Sequence, residues 1–79
     1  MKIAKIDWLD ICSATPNWTD LNDLEVSPLK CSSVGYVVKE TEDYICIAQN
    51  YNESGNLVAD TMTFPRSIIT NFVYLRDSD

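Results

Sequence analysis

The alternation of apolar and polar residues along the chain predicts short β-strands rather than helices. β-Branched and aromatic residues gather in short segments, and Asn, Asp, Ser, Pro and Gly separate these segments. No apolar repeat with the period of a helix runs along the sequence. The pattern predicts strands at residues 3–11, 31–40, 44–49, 57–64 and 71–76.

Two polar segments between these strands predict turns. Residues 41–43 read Thr-Glu-Asp and join the second strand to the third, so these two strands are expected to form a hairpin. Residues 50–56 read NYNESGN and precede the fourth strand. We expect Gly55 to adopt a positive φ in this second turn.

The connection between the first and second strands is long and polar. Residues 12–29 read CSATPNWTDLNDLEVSPL, and we predict a short helical turn at residues 19–24. Trp18 and Leu21 are expected to pack onto the strands. Because loops longer than about 12 residues are often functional, this connection is a candidate binding surface.

A proline separates the fourth and fifth strands, where the sequence reads MTFPRSII. Pro65 cannot donate a hydrogen bond to a strand ladder, and its fixed φ suits the first position of a helical turn. Ile68, Ile69 and Phe72 would then share one face and cover one end of the fold.

These elements predict an all-β fold, a small five-stranded, strongly bent antiparallel sheet or barrel. It has one helical turn between strands four and five and a long loop after strand one. A flat sheet would leave a face and two edges exposed, and bending into a barrel protects them. Residues 1–79 are expected to form a single small β-barrel domain. Its core is expected to contain Trp8, Tyr36, Phe64 and Phe72.

The charge balance restricts the partners. The chain carries 12 Asp and Glu against 6 Lys and Arg, for a net charge of −6. Duplex nucleic acid and anionic membrane surfaces repel such a chain, so neither is an expected partner. A basic partner protein is compatible with the charge, although acidity often serves solubility alone. Because so short a chain buries a small core, we also expect a homo-oligomer.

Residues suited to catalysis or cofactor binding are scarce. The chain has no histidine and only two glycines, and its serines stand outside nucleophile motifs. Cys12, Cys31 and Cys46 are odd in number and lack Cys-x-x-Cys spacing, which favours free thiols without a metal. No apolar segment resembles a membrane span or a signal peptide. We therefore expect a cytoplasmic protein with no enzymatic activity and no cofactor.

Five residues are candidates for ligand binding. Arg66 stands at the start of the helical turn, where a guanidinium and backbone N–H groups can hold a phosphate. Lys30 and Lys39 lie near the two ends of the second strand. Trp18 and Tyr51 lie in predicted loops, where aromatic rings can stack on a base or anchor a partner. An ordinary exposed arginine is the alternative interpretation of Arg66.

Five blocks of the sequence resemble a family of short, largely uncharacterised proteins of tailed bacteriophages. The blocks are Ile6, Trp8 and Asp10; Trp18; residues 31–38, CSSVGYVV; residues 42–48, EDYICIA; and residues 63–69, TFPRSII. The resemblance implies an accessory protein in the cytoplasm of the host bacterium. The predicted fold is similar to Sm-like small β-barrels, some of which, in phages, form rings that hold signalling nucleotides between subunits.

Two functional hypotheses follow. In the first, a host-defence antagonist acts by binding and sequesters a small anionic, nucleotide-like signal. The cations Arg66, Lys30 and Lys39 would meet its phosphates, and Trp18 or Tyr51 would stack on it. In the second, a protein–protein inhibitor or adaptor docks its acidic surface on a host protein.

Overall fold

Strands and two short 3₁₀ turns make up the part of the chain that the structure describes. The computed structural model describes residues 1–11, 18–24 and 27–77, so Cys12 lies outside it. The strands are β1 (Lys2–Asp10), β2 (Leu29–Glu40), β3 (Tyr44–Asn52), β4 (Leu57–Pro65) and β5 (Ile69–Asp77). The 3₁₀ turns are Leu21–Asp23 and Arg66–Ile68. The all-β class, the turn between β4 and β5 and the long loop after β1 are confirmed.

All five strands belong to one antiparallel sheet with the order β4-β3-β2-β1-β5. The sheet is bent, as predicted, but it does not close into a complete barrel. β4 and β5 are therefore its two edges. Bulges bend strands and increase their twist. Register shifts occur between Ile3 and Ala4, between Asp7 and Trp8, and between Val37 and Lys39.

A glycine permits the close approach of β2 and β3. A Cβ atom at Gly35 would lie 2.7 Å from the carbonyl oxygen of Ala48. This oxygen belongs to the backbone of β3 and cannot rotate away, so any larger residue would push the strands apart. The absence of a side chain at Gly35 is thus part of how the sheet bends.

The core lies on the concave face of the sheet. Its buried members are Ile6, Ile45, Ile47 and Phe64, with Trp8, Val37, Ile68, Ile69 and Phe72 packed around them. The Trp8 and Phe64 rings lie 5.1 Å apart, and the Trp8 indole N–H donates to Ser33 Oγ at 3.0 Å. The structure confirms the core assignment of Trp8, Phe64 and Phe72.

The core assignment of Tyr36 is wrong. Val37 packs against the core, so its neighbour Tyr36 points to the opposite face, where its ring lies 5.7 Å from that of Tyr51. Trp18 and Leu21 also differ from the prediction, because they are 105% and 81% exposed instead of packed on the strands. The 3₁₀ turn that begins at Leu21 is present, and Asp20 caps it by accepting a bond from the Asn22 N–H at 2.9 Å.

Two details of the turns also differ from the predictions. Pro65 ends β4 with φ −58° and ψ 139°, so it precedes the 3₁₀ turn and does not occupy its first position. In the β3–β4 turn, Asn56 and not Gly55 has the positive φ, at 51°. Asn is among the residues that tolerate this conformation. Asp60, within β4, also has a positive φ of 56°, and its carboxylate accepts a bond from Asn50 Nδ2 at 2.7 Å.

Candidate functional site

The five predicted ligand-binding residues do not meet at one place in a single chain. Lys30 and Lys39 are nine residues apart on β2, which corresponds to at most about 30 Å of strand. Tyr51 lies on β3 near the β3–β4 turn, and the exposed Trp18 lies in the connection after β1. Arg66 begins the second 3₁₀ turn. Each residue therefore has to be considered in its own surroundings.

Arg66 is engaged by other parts of the chain. Its Nε and Nη2 donate to the carbonyl oxygen of Thr41 at 3.0 and 2.9 Å, and Nη2 also donates to Glu40 Oε1 at 3.2 Å. Its backbone N–H donates to the carbonyl oxygen of Asp43 at 2.9 Å. Arg66 thus ties the second 3₁₀ turn to the β2–β3 turn, and this geometry favours a structural role.

Glu40 connects this arginine to β5. Tyr74 donates its hydroxyl proton to Glu40 Oε2 at 2.5 Å, and Lys2 Nζ lies 4.7 Å from the Tyr74 ring centroid. The Tyr74 hydrogen bond, and after it the Arg66 contact, lowers the pKa of Glu40 below its ordinary value. The same bond to Glu40 raises the pKa of Tyr74, and burial adds to the effect. β1 lies between β2 and β5 in the sheet, so the contact between Glu40 and Tyr74 reaches across β1.

A groove with opposite charges lies elsewhere, along β1 and β2. Lys5, Asp7 and Leu9 alternate along β1 and share a face. The strand register sets Ser32 opposite Asp7 and Lys30 opposite Leu9. The groove has a volume of about 480 Å³, and its lining also includes Trp8, Cys31 and Thr70.

Asp7 organises the middle of this groove. Its Oδ1 accepts the Ser32 hydroxyl proton at 2.6 Å and lies 3.8 Å from Lys5 Nζ. Its Oδ2 lies 3.5 Å from Asn71 Nδ2, and its backbone carbonyl accepts the Thr70 hydroxyl proton at 3.2 Å. The Ser32 bond, and after it the charge of Lys5, lowers the pKa of Asp7. With two lysines and one aspartate, the groove carries a local charge of +1 in a chain of −6.

The sequence prediction included Lys30 but missed Lys5 and Asp7. Their alternation with apolar neighbours along β1 indicated a polar face, but the strand pairing that sets them beside Lys30 could not be read from that pattern. Glu40 and Tyr74 were missed for a related reason, since the bend of the sheet brings them together. Cys31 and Cys46 are free, partly buried thiols, and Cys31 borders the groove.

A second depression, of about 430 Å³, surrounds Tyr51 near the β3–β4 turn. It is lined by Asn50, Tyr51, Asn52, Leu57, Val58 and Ala59. This lining contains no charged side chain, so an anionic ligand would find no cation there. The groove of Lys5 and Lys30 is the better candidate site.

No family model, curated protein or solved structure matches this chain. The bacteriophage family and the Sm-like comparison are therefore still predictions from sequence. Among the described residues, the helical segments are too short and too polar to cross a membrane.

Proposed function

We propose that this chain is a non-enzymatic binding protein that holds a small anionic, nucleotide-like molecule in the groove of Lys5 and Lys30. The supporting observation is that two lysines border one groove in a chain of net charge −6. A lysine ammonium is a mobile point charge and a common phosphate ligand. The groove volume of about 480 Å³ lies within the range of small-molecule sites.

The resemblance to phage accessory proteins adds a biological setting to this proposal. The protein would act in the cytoplasm of the host bacterium as a defence antagonist, and the ligand would be a defence signal. Sequestration requires affinity and abundance but no catalytic group. This agrees with a chain that lacks histidine and recognisable nucleophile motifs.

Self-association is a second part of the proposal. Both edge strands carry exposed apolar side chains, and unpaired edges favour association with further strands. These side chains are Leu57, Val58 and Met62 on β4 and Val73 and Leu75 on β5. Pairing through these edges would cover them.

Thermal unfolding with a panel of cyclic mono- and dinucleotides tests the binding proposal. A ligand at 100 times its Kd adds about 2.7 kcal/mol to the free energy of unfolding, which raises Tm by roughly 10–20 °C. Lys5→Gln and Lys30→Gln should each weaken the shift. Lys39→Gln is the matched control, because it removes the same charge from β2 outside the groove. The absence of a shift across the panel would refute nucleotide binding.

The described part of the connection after β1 favours a second candidate function, a protein–protein inhibitor. Trp18 and Leu21 project into solvent beside Asp20 and Asp23, a combination that suits a partner with an apolar pocket and a basic rim. A pull-down from bacterial lysate tests it. A specific basic protein should be captured by the wild type and lost with the double substitution Trp18→Ala and Leu21→Ala, and equal capture by both would contradict this function.

A further inference from the structure

The groove of Lys5 and Lys30 holds a carboxylate between its two cations. Along β1, Lys5 precedes Asp7 by two residues and Leu9 follows it by two, and Leu9 pairs with Lys30 on β2. The lysines therefore stand on opposite sides of Asp7 along the groove. Because the Lys5 ammonium lies 3.8 Å from Asp7 Oδ1, a ligand that contacts both ammonium groups comes close to this carboxylate.

Asp7 has acceptor capacity that the described residues do not use. Its Oδ1 accepts the short bond from Ser32 at 2.6 Å. The contact from Asn71 Nδ2 to Oδ2 is long, at 3.5 Å, although a carboxylate offers about four acceptor positions. The Asp7 side chain is 29% exposed, so a ligand can reach it.

The hydroxyl groups beside Asp7 are already committed to it. Ser32 donates its proton to Oδ1, and Thr70 donates its proton to the Asp7 backbone carbonyl. Neither proton is available to an incoming anion, so anion binding depends on the two lysines. A bare polyanion would also bring its oxygens against Asp7, and like charges at that distance repel.

We infer that Asp7 is a specificity-determining residue, and that the ligand is a hydroxylated phosphate ester, such as a ribonucleotide or a sugar phosphate, whose hydroxyl donates to Asp7 Oδ2. This inference rests on the proposed anion-binding function of the groove. It adds that a hydroxyl donor beside the phosphate is required for tight binding. Plain anions of equal charge bind more weakly, since nothing in them compensates Asp7.

Calorimetric titration with three probes tests this inference. The probes are adenosine 5′-monophosphate, its 2′,3′-dideoxy analogue of equal charge, and pyrophosphate. The wild type should prefer the ribonucleotide over the dideoxy analogue by about tenfold. In Asp7→Asn this ratio should fall towards one and pyrophosphate should bind more tightly, because a negative charge has left the groove. Asp43→Asn is the matched control in the β2–β3 turn and should retain the wild-type pattern.

A second variant keeps the test decisive if Asp7→Asn does not fold. Asn71→Ala lies at an exposed position and removes the long contact to Oδ2, so it should keep or increase the ribonucleotide preference. A wild type without preference, a preference that survives Asp7→Asn, or its loss in Asn71→Ala would each overturn the inference while anion binding stands. A wild type that binds none of the probes would overturn the proposed function as well.

Discussion

Replacing Tyr74 with Phe tests the contact that joins β5 to the end of β2. The substitution removes the hydroxyl that donates to Glu40 at 2.5 Å, and it keeps the ring that packs on Phe72. A hydrogen bond to a charged group contributes about 1.5–3 kcal/mol. Because Tyr74 is 42% exposed, solvent weakens this bond, and we expect a loss of about 1 kcal/mol. For a domain of this size, Tm should fall by roughly 4–8 °C.

The pH dependence of this loss of stability identifies Glu40 as the partner of Tyr74. The pKa of Glu40 lies below its ordinary value of 4.5, primarily because of the Tyr74 bond. A carboxylate with a lowered pKa stabilises the fold above its unfolded pKa, and this contribution disappears as the pH falls through the folded pKa. The Tm difference between wild type and Tyr74→Phe should therefore be complete at about pH 7 and shrink below about pH 4.5.

Thermal unfolding followed by circular dichroism, in a pH series, measures both effects. Tyr44→Phe is the control, because the Tyr44 hydroxyl has no hydrogen-bond partner among the described residues. This variant should unfold close to the wild-type Tm at every pH. Equal Tm values for wild type and Tyr74→Phe at about pH 7, or a difference that persists in acid, would refute the Glu40–Tyr74 interaction.

Substitutions at three further positions test other parts of the structure. Gly35→Ala sets a methyl group 2.7 Å from the Ala48 carbonyl oxygen, so urea unfolding should show a loss of more than about 2 kcal/mol; wild-type stability would contradict the close approach of β2 and β3. Arg66→Ala loses its bonds to Thr41 and should lower Tm by roughly 5–10 °C while the nucleotide-induced shift persists. Loss of that shift at unchanged Tm would instead support the anion contact predicted from sequence. Asp60 has a positive φ, so Asp60→Gly should keep the free energy of unfolding in urea within about 1 kcal/mol of wild type. Asp60→Val, forced to the same φ, should lose about 1–2 kcal/mol. Equal stabilities of the two variants would contradict that backbone geometry.

The fold was predictable where local chemistry decides the structure. Alternating apolar residues located the strands, because one face of each strand had to be buried. Pro65 located the end of β4, because a proline cannot donate to the ladder. β3 and β5 are longer than predicted, because β3 continues to Asn52 and β5 begins at Ile69. In β3, Asn50 and Asn52 pair with β4 through their backbones, which side-chain patterns do not reveal.

The candidate site was less predictable because it depends on which strands pair and in which register. Glu40 and Tyr74 are 34 residues apart in sequence, and only the bend of the sheet brings their side chains together. Arg66 has the residue type of an anion ligand, but its position beside the β2–β3 turn gives it acceptors within the chain. The sequence placed Tyr36 on a strand. It did not show which face of the sheet the ring occupies, because that depends on Val37 packing against the core.

The net charge of −6 is compatible with the proposed anion-binding groove. The charges of the groove act on a small ligand at short range, whereas most charges of the chain are farther away. At physiological salt, exposed charges are screened beyond about 8 Å, so a small ligand between Lys5 and Lys30 responds to the local charge of the groove. A long nucleic acid would extend past these lysines and meet the surrounding acidic surface, where each further phosphate is repelled. In the proposed function, the charge distribution that would retain a short anion would thus reject a polymer. Asp7, in the inferred role, would restrict the ligands further, because it would disfavour anions that bring no hydrogen-bond donor.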